Sequence, residues 1–282
     1  MSDPLDPYFE RIGHRGSREP TLATLNAIVN AHVRTIPFEN LDVLLGRPIA
    51  LDLESLLGKL VHGHRGGYCF EHNGLLLHVL ENLGFSVQPL SARVRLQRPR
   101  DFTPPRTHMF VRVEIEGKPW LADVGVGGLS PTAALRLDRE DEQSTPHEPR
   151  RIIREDGRLF HQVRLGGPVA GPVAGQAAEQ WQDVCEFTLE QMPPIDREVA
   201  NWFTSAHPLS HFRNRLVVAR AAEHGVRHSL LNHDLTFRRA DGSAEHHRIE
   251  TPEELLVVLD EVFELRLPAG TRVVCEGLQW PG

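Results

Sequence analysis

The segment Arg65-Gly66-Gly67-Tyr68-Cys69-Phe70-Glu71-His72-Asn73 concentrates more chemistry than any other in the chain. Two glycines permit unusual backbone angles and close approach. Cys69 falls in the first turn of a helical pattern that runs through Leu75, Leu76, Val79, Leu80 and Leu83. Unpaired N–H groups at a helix start carry about half a positive charge, which favours thiolate, the nucleophilic form of sulfur. A buried packing cysteine is the competing reading, and the local sequence does not choose between them. A second element, Thr107-His108-Met109-Phe110-Val111-Arg112-Val113, reads as an alternating strand that begins at His108. If Glu116-Gly117 is a two-residue turn, residue 110 pairs with residue 123, and His108 and Asp123 become diagonal neighbours ~7–8 Å apart on one face. A carboxylate there can hold the imidazole through Nδ1 and leave the other nitrogen for a thiol. A one-residue slip destroys this geometry. Taken alone, a histidine at a strand start is more often structural or on the surface. Asp123 sits in the apolar run Trp120–Val124, where an unpaired acid costs free energy. The following Gly125-Val126-Gly127-Gly128 offers N–H groups to a phosphate, or is a plain tight turn. It lacks the helix-and-acid pattern of a dinucleotide fingerprint.

The elements that must position these residues change character along the chain. Leu22, Leu25, Ile28, Val29 and His32 share a helical face that Pro37 limits. Asp52 caps a second helical pattern through Leu53, Leu56, Leu57, Leu60 and Val61, and Gly84 stops the third. From residue 85 the period becomes two: Ala92–Leu96, His108–Ile115, Trp120–Val124, and Arg151–Arg164 folded at Asp156-Gly157. Residues 138–150 read as a loop, and the GGPVAGPVAGQAA stretch at 166–178 as a flexible excursion. After Pro193-Pro194 come a short helix over Asp196–Thr204 and strands over Leu216–Arg220, Ser229–Arg239 and Glu245–Glu250. The last two strands join at Asp241-Gly242, and a Thr251-capped helix carries Leu255, Leu256, Leu259, Val262 and Phe263. The order predicts an α+β protein: 1–84 a helical bundle with the cysteine, 85–190 strands with the histidine and aspartate, 191–282 a mixed α/β piece.

Composition excludes several other functions. With 38 acidic against 31 basic residues the formal charge is −7, and no Lys/Arg-rich run exists to focus a positive field on nucleic acid. Three cysteines at 69, 185 and 275 fit neither a disulfide framework nor a cysteine zinc site. No leader pattern and no apolar stretch of ~18 residues is present, so no membrane association and a cytoplasmic setting are expected. The sixteen histidines form no HExxH-like spacing, even at His62-Gly63-His64, His72 with His78, or His246-His247. No metal is expected, and solvated surface histidines are the expected account.

Taken together, Arg65-Gly66-Gly67-x-Cys69-x-Glu71-x-Asn73, His108 before a strand and Asp123-Val124-Gly125 resemble the arylamine N-acetyltransferase family. Pro37-Phe38-Glu39-Asn40-Leu41 and the run Asn201–Phe212 match it too, so the resemblance extends from about residue 20 to the last helix. It implies a helical bundle, a central antiparallel β-barrel and a C-terminal α/β lid around a cysteine-protease-like core. The family's Cys-His-Asp triad falls on Cys69, His108 and Asp123. Acetyl-CoA is the implied co-substrate, and an arylamine or arylhydrazine the implied acceptor, with xenobiotic metabolism as the setting. Phe38, Thr107 and Phe203 are implied to line the acceptor pocket, and Val126, Gly127 and Phe203 to lie where coenzyme A meets the acceptor. Arg65 and Glu39 look like a structural ion pair behind the nucleophile. Val126 departs from the phenylalanine of many bacterial relatives, which would reshape the pocket. Cys185 and Cys275 read as packing residues. A cysteine hydrolase or transglutaminase-like enzyme shares the same Cys, His, Asp order and is the alternative. A monomer or small homo-oligomer is expected.

Overall fold

The computed structural model describes residues 4–96, 98–166 and 180–280, with the backbone alone at residue 180. The GPVA stretch expected to be a flexible excursion lies outside the described residues from 167 onward. The N-terminal segment folds as predicted into helices joined by short turns: α1 (Asp6–Ile12), α2 (Leu22–Thr35), α3 (Leu41–Leu44), α4 (Leu53–Leu56) and α5 (Cys69–Asn82). Thr21 caps α2 by accepting the Thr24 N–H at 3.3 Å, and Asp52 caps α4 by accepting that of Ser55 at 2.9 Å. The second helical pattern is not one uniform helix, because α4 widens into a π turn over Leu57–His62. Leu25, Ile28 and Val29 of α2 pack against Leu60 of that turn and Leu75, Leu76 and Val79 of α5, all fully buried. The helical segment also contains a two-residue strand, β1 (Phe38–Glu39), where Pro37 forbids helix.

Seven strands follow: β2 (Ser86–Val94), β3 (His108–Ile115), β4 (Lys118–Ala122), β5 (Leu135–Arg136), β6 (Arg150–Glu155), β7 (Arg158–Leu165) and β8 (Gln180–Gln191). Their spatial order, β5-β4-β3-β2-β8-β7-β6, forms a nearly closed antiparallel barrel. The expected turn chemistry is present. Glu116 and Gly117 (φ 51° and 68°), and Asp156 and Gly157 (φ 47° and 74°), take the left-handed angles of two-residue hairpins. The gap between β5 and β6 is spanned by Gln143. Its backbone bonds Arg150 in both directions, and its amide exchanges bonds with the Arg136 backbone at 2.7 and 3.0 Å. One side chain in the predicted 138–150 loop therefore brings the two edges together.

The C-terminal part holds α6 (Pro194–Ala206), β9 (Val217–Ala221), β10 (Arg227–Leu231), β11 (Asp234–Arg238), β12 (Ala244–Arg248) and α7 (Pro252–Phe263). The predicted single strand Ser229–Arg239 is instead a hairpin. Asn232 takes φ 55° and reverses the chain, so Leu231 faces Asp234. Asparagine tolerates that conformation, and the continuous apolar pattern on both sides hid the turn. Leu255, Leu259 and Phe263 of α7 cover Val218, Leu230 and Leu235 of this sheet. β1 joins the sheet's free edge, pairing Phe38 with Ala219 and Glu39 with Val218. The helical segment is thereby stitched to the C-terminal sheet beside the cysteine.

Candidate active site

Cys69 is the first residue of the 14-residue α5. What holds it there begins with Gly66. A Cβ on that residue would lie 2.0 Å from the Pro37 carbonyl oxygen, so only glycine lets the two chains approach. Neither Gly66 nor Gly67 has a positive φ, which makes close approach, and not an unusual angle, the reason for the pair. Glu39 N–H then donates to the Gly67 carbonyl at 2.7 Å. At the helix start the Glu71 carboxylate accepts the Tyr68 N–H at 3.0 Å. The Cys69 thiol points at the Thr107 carbonyl, 3.4 Å away, immediately before His108.

His108 and Asp123 meet as the hairpin register requires. Val111 pairs with Ala122 and Ile115 with Lys118, which carries residue 110 opposite residue 123. The contact is 2.7 Å long, but it is made by Nε2 and not by the expected Nδ1. A diagonal of ~7–8 Å needs the far end of the ring, so the distal nitrogen reaches the carboxylate. With Nε2 taken by Asp123, Nδ1 is the nitrogen left for the contact His108 makes with the Cys69 side chain. Both groups are buried, as is Cys69 at 3% exposure. Burial opposes charge on His108, but the Asp123 carboxylate, followed by the cysteine, overcomes it and raises the imidazole to about 10. Burial would likewise raise Asp123. The His108 charge, the Gly125 N–H and the Asn73 amide reverse that and hold the carboxyl below its ordinary value. Asn73 supplies a link the sequence reading passed over. Its amide donates to the Met109 carbonyl at 2.7 Å and to Asp123 Oδ1 at 3.0 Å, while its oxygen accepts the Val124 N–H at 3.0 Å. Lying one turn beyond Cys69 on α5, it fastens the nucleophile's helix to the aspartate's loop. A Cβ at Gly125 would stand 2.8 Å from the Cys69 Cα, so that loop touches the helix only because residue 125 has no side chain.

Behind the helix start lies a larger ionic cluster than the expected pair. Arg65 donates to Glu39 at 2.6 Å and to Asp42 at 3.2 Å, and Lys59 bridges Asp42 and Glu71 at 2.7 Å each. Burial drives the Glu71 carboxyl up to about 7 against the restraining charge of Lys59. A second buried chain runs from Tyr8 Oη to His32 Nδ1 (2.9 Å), from His32 Nε2 to His72 Nδ1 (2.8 Å), and from His72 Nε2 to the Pro37 carbonyl (3.1 Å). With both imidazoles neutral, the carbonyl must accept from His72 Nε2, and each donor in the chain is fixed in turn up to the Tyr8 hydroxyl. Burial lowers His72 to about 4 and His32 well below its ordinary value. The expectation of surface histidines therefore fails for His72 and His161, which are buried, as are His32 on its expected apolar face and His108. Their imidazoles are neutral or paired internally, a state that composition does not reveal.

The remaining site residues separate into two groups. Phe38 shares an apolar cluster with Cys69, Tyr68, Phe70, Met109, Met192 and Ala200, and its ring lies 3.6 Å from the Cβ position of Gly127. Phe212 packs against both Phe38 and Tyr68, with centroids 6.0 and 5.9 Å away. Val126 turns toward the barrel and clusters with Val163 and Val184. Phe203, half-buried on α6, stacks on His207 at 4.5 Å. Cys185 is buried in β8 and Cys275 is partly buried against the α7 core. Among the described residues no group of three His, Cys, Asp or Glu side chains is arranged to hold a metal ion, and no helix is long and apolar enough to cross a membrane.

A family model described as N-acetyltransferase matches residues 21–272. An arylamine N-acetyltransferase of Mycolicibacterium smegmatis is 42% identical over 273 residues, covering 95% of this chain and 94% of that protein. The arylamine N-acetyltransferase structure from M. tuberculosis superposes with a TM-score of 0.85 at 40% identity, over 93% of each chain. That of Mycobacterium marinum, in complex with CoA, gives 0.84 at 38% identity, over 93% of this chain and 92% of the other.

Proposed function

Because the chain belongs to the arylamine N-acetyltransferase family, whose members are acyltransferases, we propose that it transfers the acetyl group of acetyl-CoA to an aromatic amine or hydrazine through an acetyl-Cys69 intermediate. The observation that carries this reading is Cys69 in the first turn of α5, beside an imidazole held at 2.7 Å by a buried carboxylate. The CoA bound to the M. marinum relative supports the donor. The apolar wall of Phe38, Met109, Met192 and Phe212 around Cys69 supports an aryl acceptor.

In the first half-reaction the Cys69 thiolate attacks the thioester carbonyl, and the bond from that carbon to the CoA sulfur breaks. The His108 imidazolium gives its proton to the departing CoA thiolate. Cys69 is then acetylated and His108 neutral. In the second, the amine nitrogen attacks the acetyl carbonyl, His108 takes the proton that nitrogen sheds, and Cys69 leaves as thiolate. The thiolate–imidazolium pair is restored. Asp123 keeps the ring oriented and its charged form favoured throughout. Aryl amines are weakly basic, so their lone pair is free near neutral pH. In this reading the Gly127 turn and Phe203 face the junction of donor and acceptor, and Val126 acts by shaping the barrel side of that junction. A cytoplasmic setting accords with three unpaired cysteines.

Mixing with acetyl-CoA should add one acetyl group to the protein, read by intact mass, and Cys69→Ala should abolish the addition. An acetylated Cys69→Ala protein would refute the assignment. Amide cleavage without acetyl-CoA would instead favour the cysteine hydrolase.

A further inference from the structure

Tyr68 immediately precedes Cys69 and is fully buried. Its hydroxyl leaves the helical segment and donates to Oδ1 of Asn201 in α6, with the Asn201 main-chain carbonyl 3.4 Å away. The Asn201 amide in turn donates to the Ile49 carbonyl at 3.1 Å. Asn201 thus ties α6 both to the residue before the nucleophile and to the segment before α4. Thr204 and Ser205 turn back onto the helix's own carbonyls at 2.7 and 2.8 Å.

The rest of α6 is lightly held. Of its thirteen residues only Ala200 and Thr204 are buried. Ile195, Val199 and Trp202 are 61%, 59% and 59% exposed, so its outward stripe adds no packing. Beneath its N-terminal end lies a hollow of ≈ 330 Å³ bounded by Leu51, Leu77, Met192, Pro194 and Arg197. Yet Ala200 and Met192 close over the same apolar cluster as Cys69, whose exposure is 3%. The position of α6 therefore bears on how much room an aryl ring finds beside the sulfur. Space behind the helix and few polar ties, of which Tyr68–Asn201 is the one to the nucleophile's neighbour, make its position adjustable.

We propose that the Tyr68–Asn201 bond sets the width of the acceptor pocket, so that both are specificity-determining positioning residues for transfer to the amine. The inference rests on the acetyl-transfer reading and deepens it. Tyr68→Phe keeps the ring against Phe70 and Phe212 and removes only the hydroxyl, and Asn201→Ala removes the other half of the tie. Loss of one neutral hydrogen bond should free α6 enough to favour a bulky acceptor about fivefold.

The test compares kcat/KM for aniline and for para-phenylaniline in the unmodified protein, both single variants and the double variant, with amide exchange across 194–206 followed in parallel. The ratio should rise about fivefold in favour of the bulky amine in each single variant and no further in the double, with faster exchange over α6. An unchanged ratio, with both substrates falling together, would overturn the proposal. So would single effects that multiply in the double variant. If Tyr68→Phe does not fold, Asn201→Ala and Asn201→Leu, on a half-buried position, give ratio and exchange alone. Acetylation of the unmodified protein is read first by intact mass. Its absence overturns the transfer reading itself, and its presence with unchanged selectivity overturns only the clasp.

Discussion

Replacing Asp123 by asparagine isolates what the carboxylate does, because the molecule contains its own control. His72 is as buried as His108 but hydrogen-bonds only neutral groups, and its imidazole is lowered to about 4. His108, beside Asp123, is raised to about 10. Asp123→Asn should move His108 toward the behaviour of His72. At pH 7 the imidazolium would fall from nearly the whole population to about one part in a thousand. The asparagine amide, facing Nε2, would also force that nitrogen to accept, placing the ring proton on Nδ1 in the wrong tautomer toward Cys69. The thiolate would lose its cationic partner, and reactivity at pH 7 should drop roughly 100- to 1,000-fold. Asn73 and the Gly125 N–H can still bond Oδ1, so the loop should keep its place. The assay is the rate of iodoacetamide alkylation of Cys69 by intact mass from pH 5 to 10, with Cys69→Ala giving the background from Cys185 and Cys275. The unmodified protein should label far faster than Asp123→Asn near pH 7, where the two differ in the charge of His108. Equal rates and equal pH profiles would refute the ion-pair account.

The buried histidine chain predicts acid sensitivity. A base whose folded value is depressed stabilises the fold fully above its ordinary 6.5, and that contribution is lost as pH falls toward the folded value. For His72 the gap from 6.5 to about 4 corresponds to about 3 kcal/mol, and His32 adds to it. The urea midpoint should therefore fall steeply between pH 6.5 and 4, and a flat midpoint over that range would contradict neutral imidazoles. Gly125→Ala should inactivate more than it destabilises, because its Cβ would press within 2.8 Å of the Cys69 Cα and 2.7 Å of the Asn73 amide. Thermal melting should show a cost of about 1–3 kcal/mol, while acetyl-Cys69 formation should be all but lost.

Much of the scaffold could be read because its signals are local. Asp52 and Thr251 cap helices by their side chains, and Glu116-Gly117 and Asp156-Gly157 reverse hairpins, each within four residues. The hairpin at Glu116-Gly117 also fixed the His108–Asp123 diagonal, since a two-residue turn leaves no freedom in register. Where the signal was local but ambiguous the reading failed. Asn232 looked like one polar position in a long strand, and only pairing across β10 and β11 shows that it is the reversal. The π turn at Leu57–His62 likewise preserves the apolar positions of an ordinary helix, so periodicity alone cannot reveal it.

The site itself divides along a different line. Chemically reactive side chains are recognisable by type, but what tunes them depends on contacts between distant segments. Lys59 reaches Asp42 and Glu71, Asn73 reaches Asp123, and Tyr68 reaches Asn201. No pattern of spacing distinguishes these from surface residues of the same type. Charge counting also misleads here, because the groups that matter are buried in compensating sets. Arg65, Lys59 and the more exposed Arg47 face Glu39, Asp42 and a Glu71 whose carboxyl is raised to about 7. The charges of the set largely compensate one another, two residues from the nucleophile. The overall charge of −7 is therefore silent about the field at Cys69. That field is set by His108 and Asp123 on one side of the helix start and by this cluster on the other, both assembled by folding.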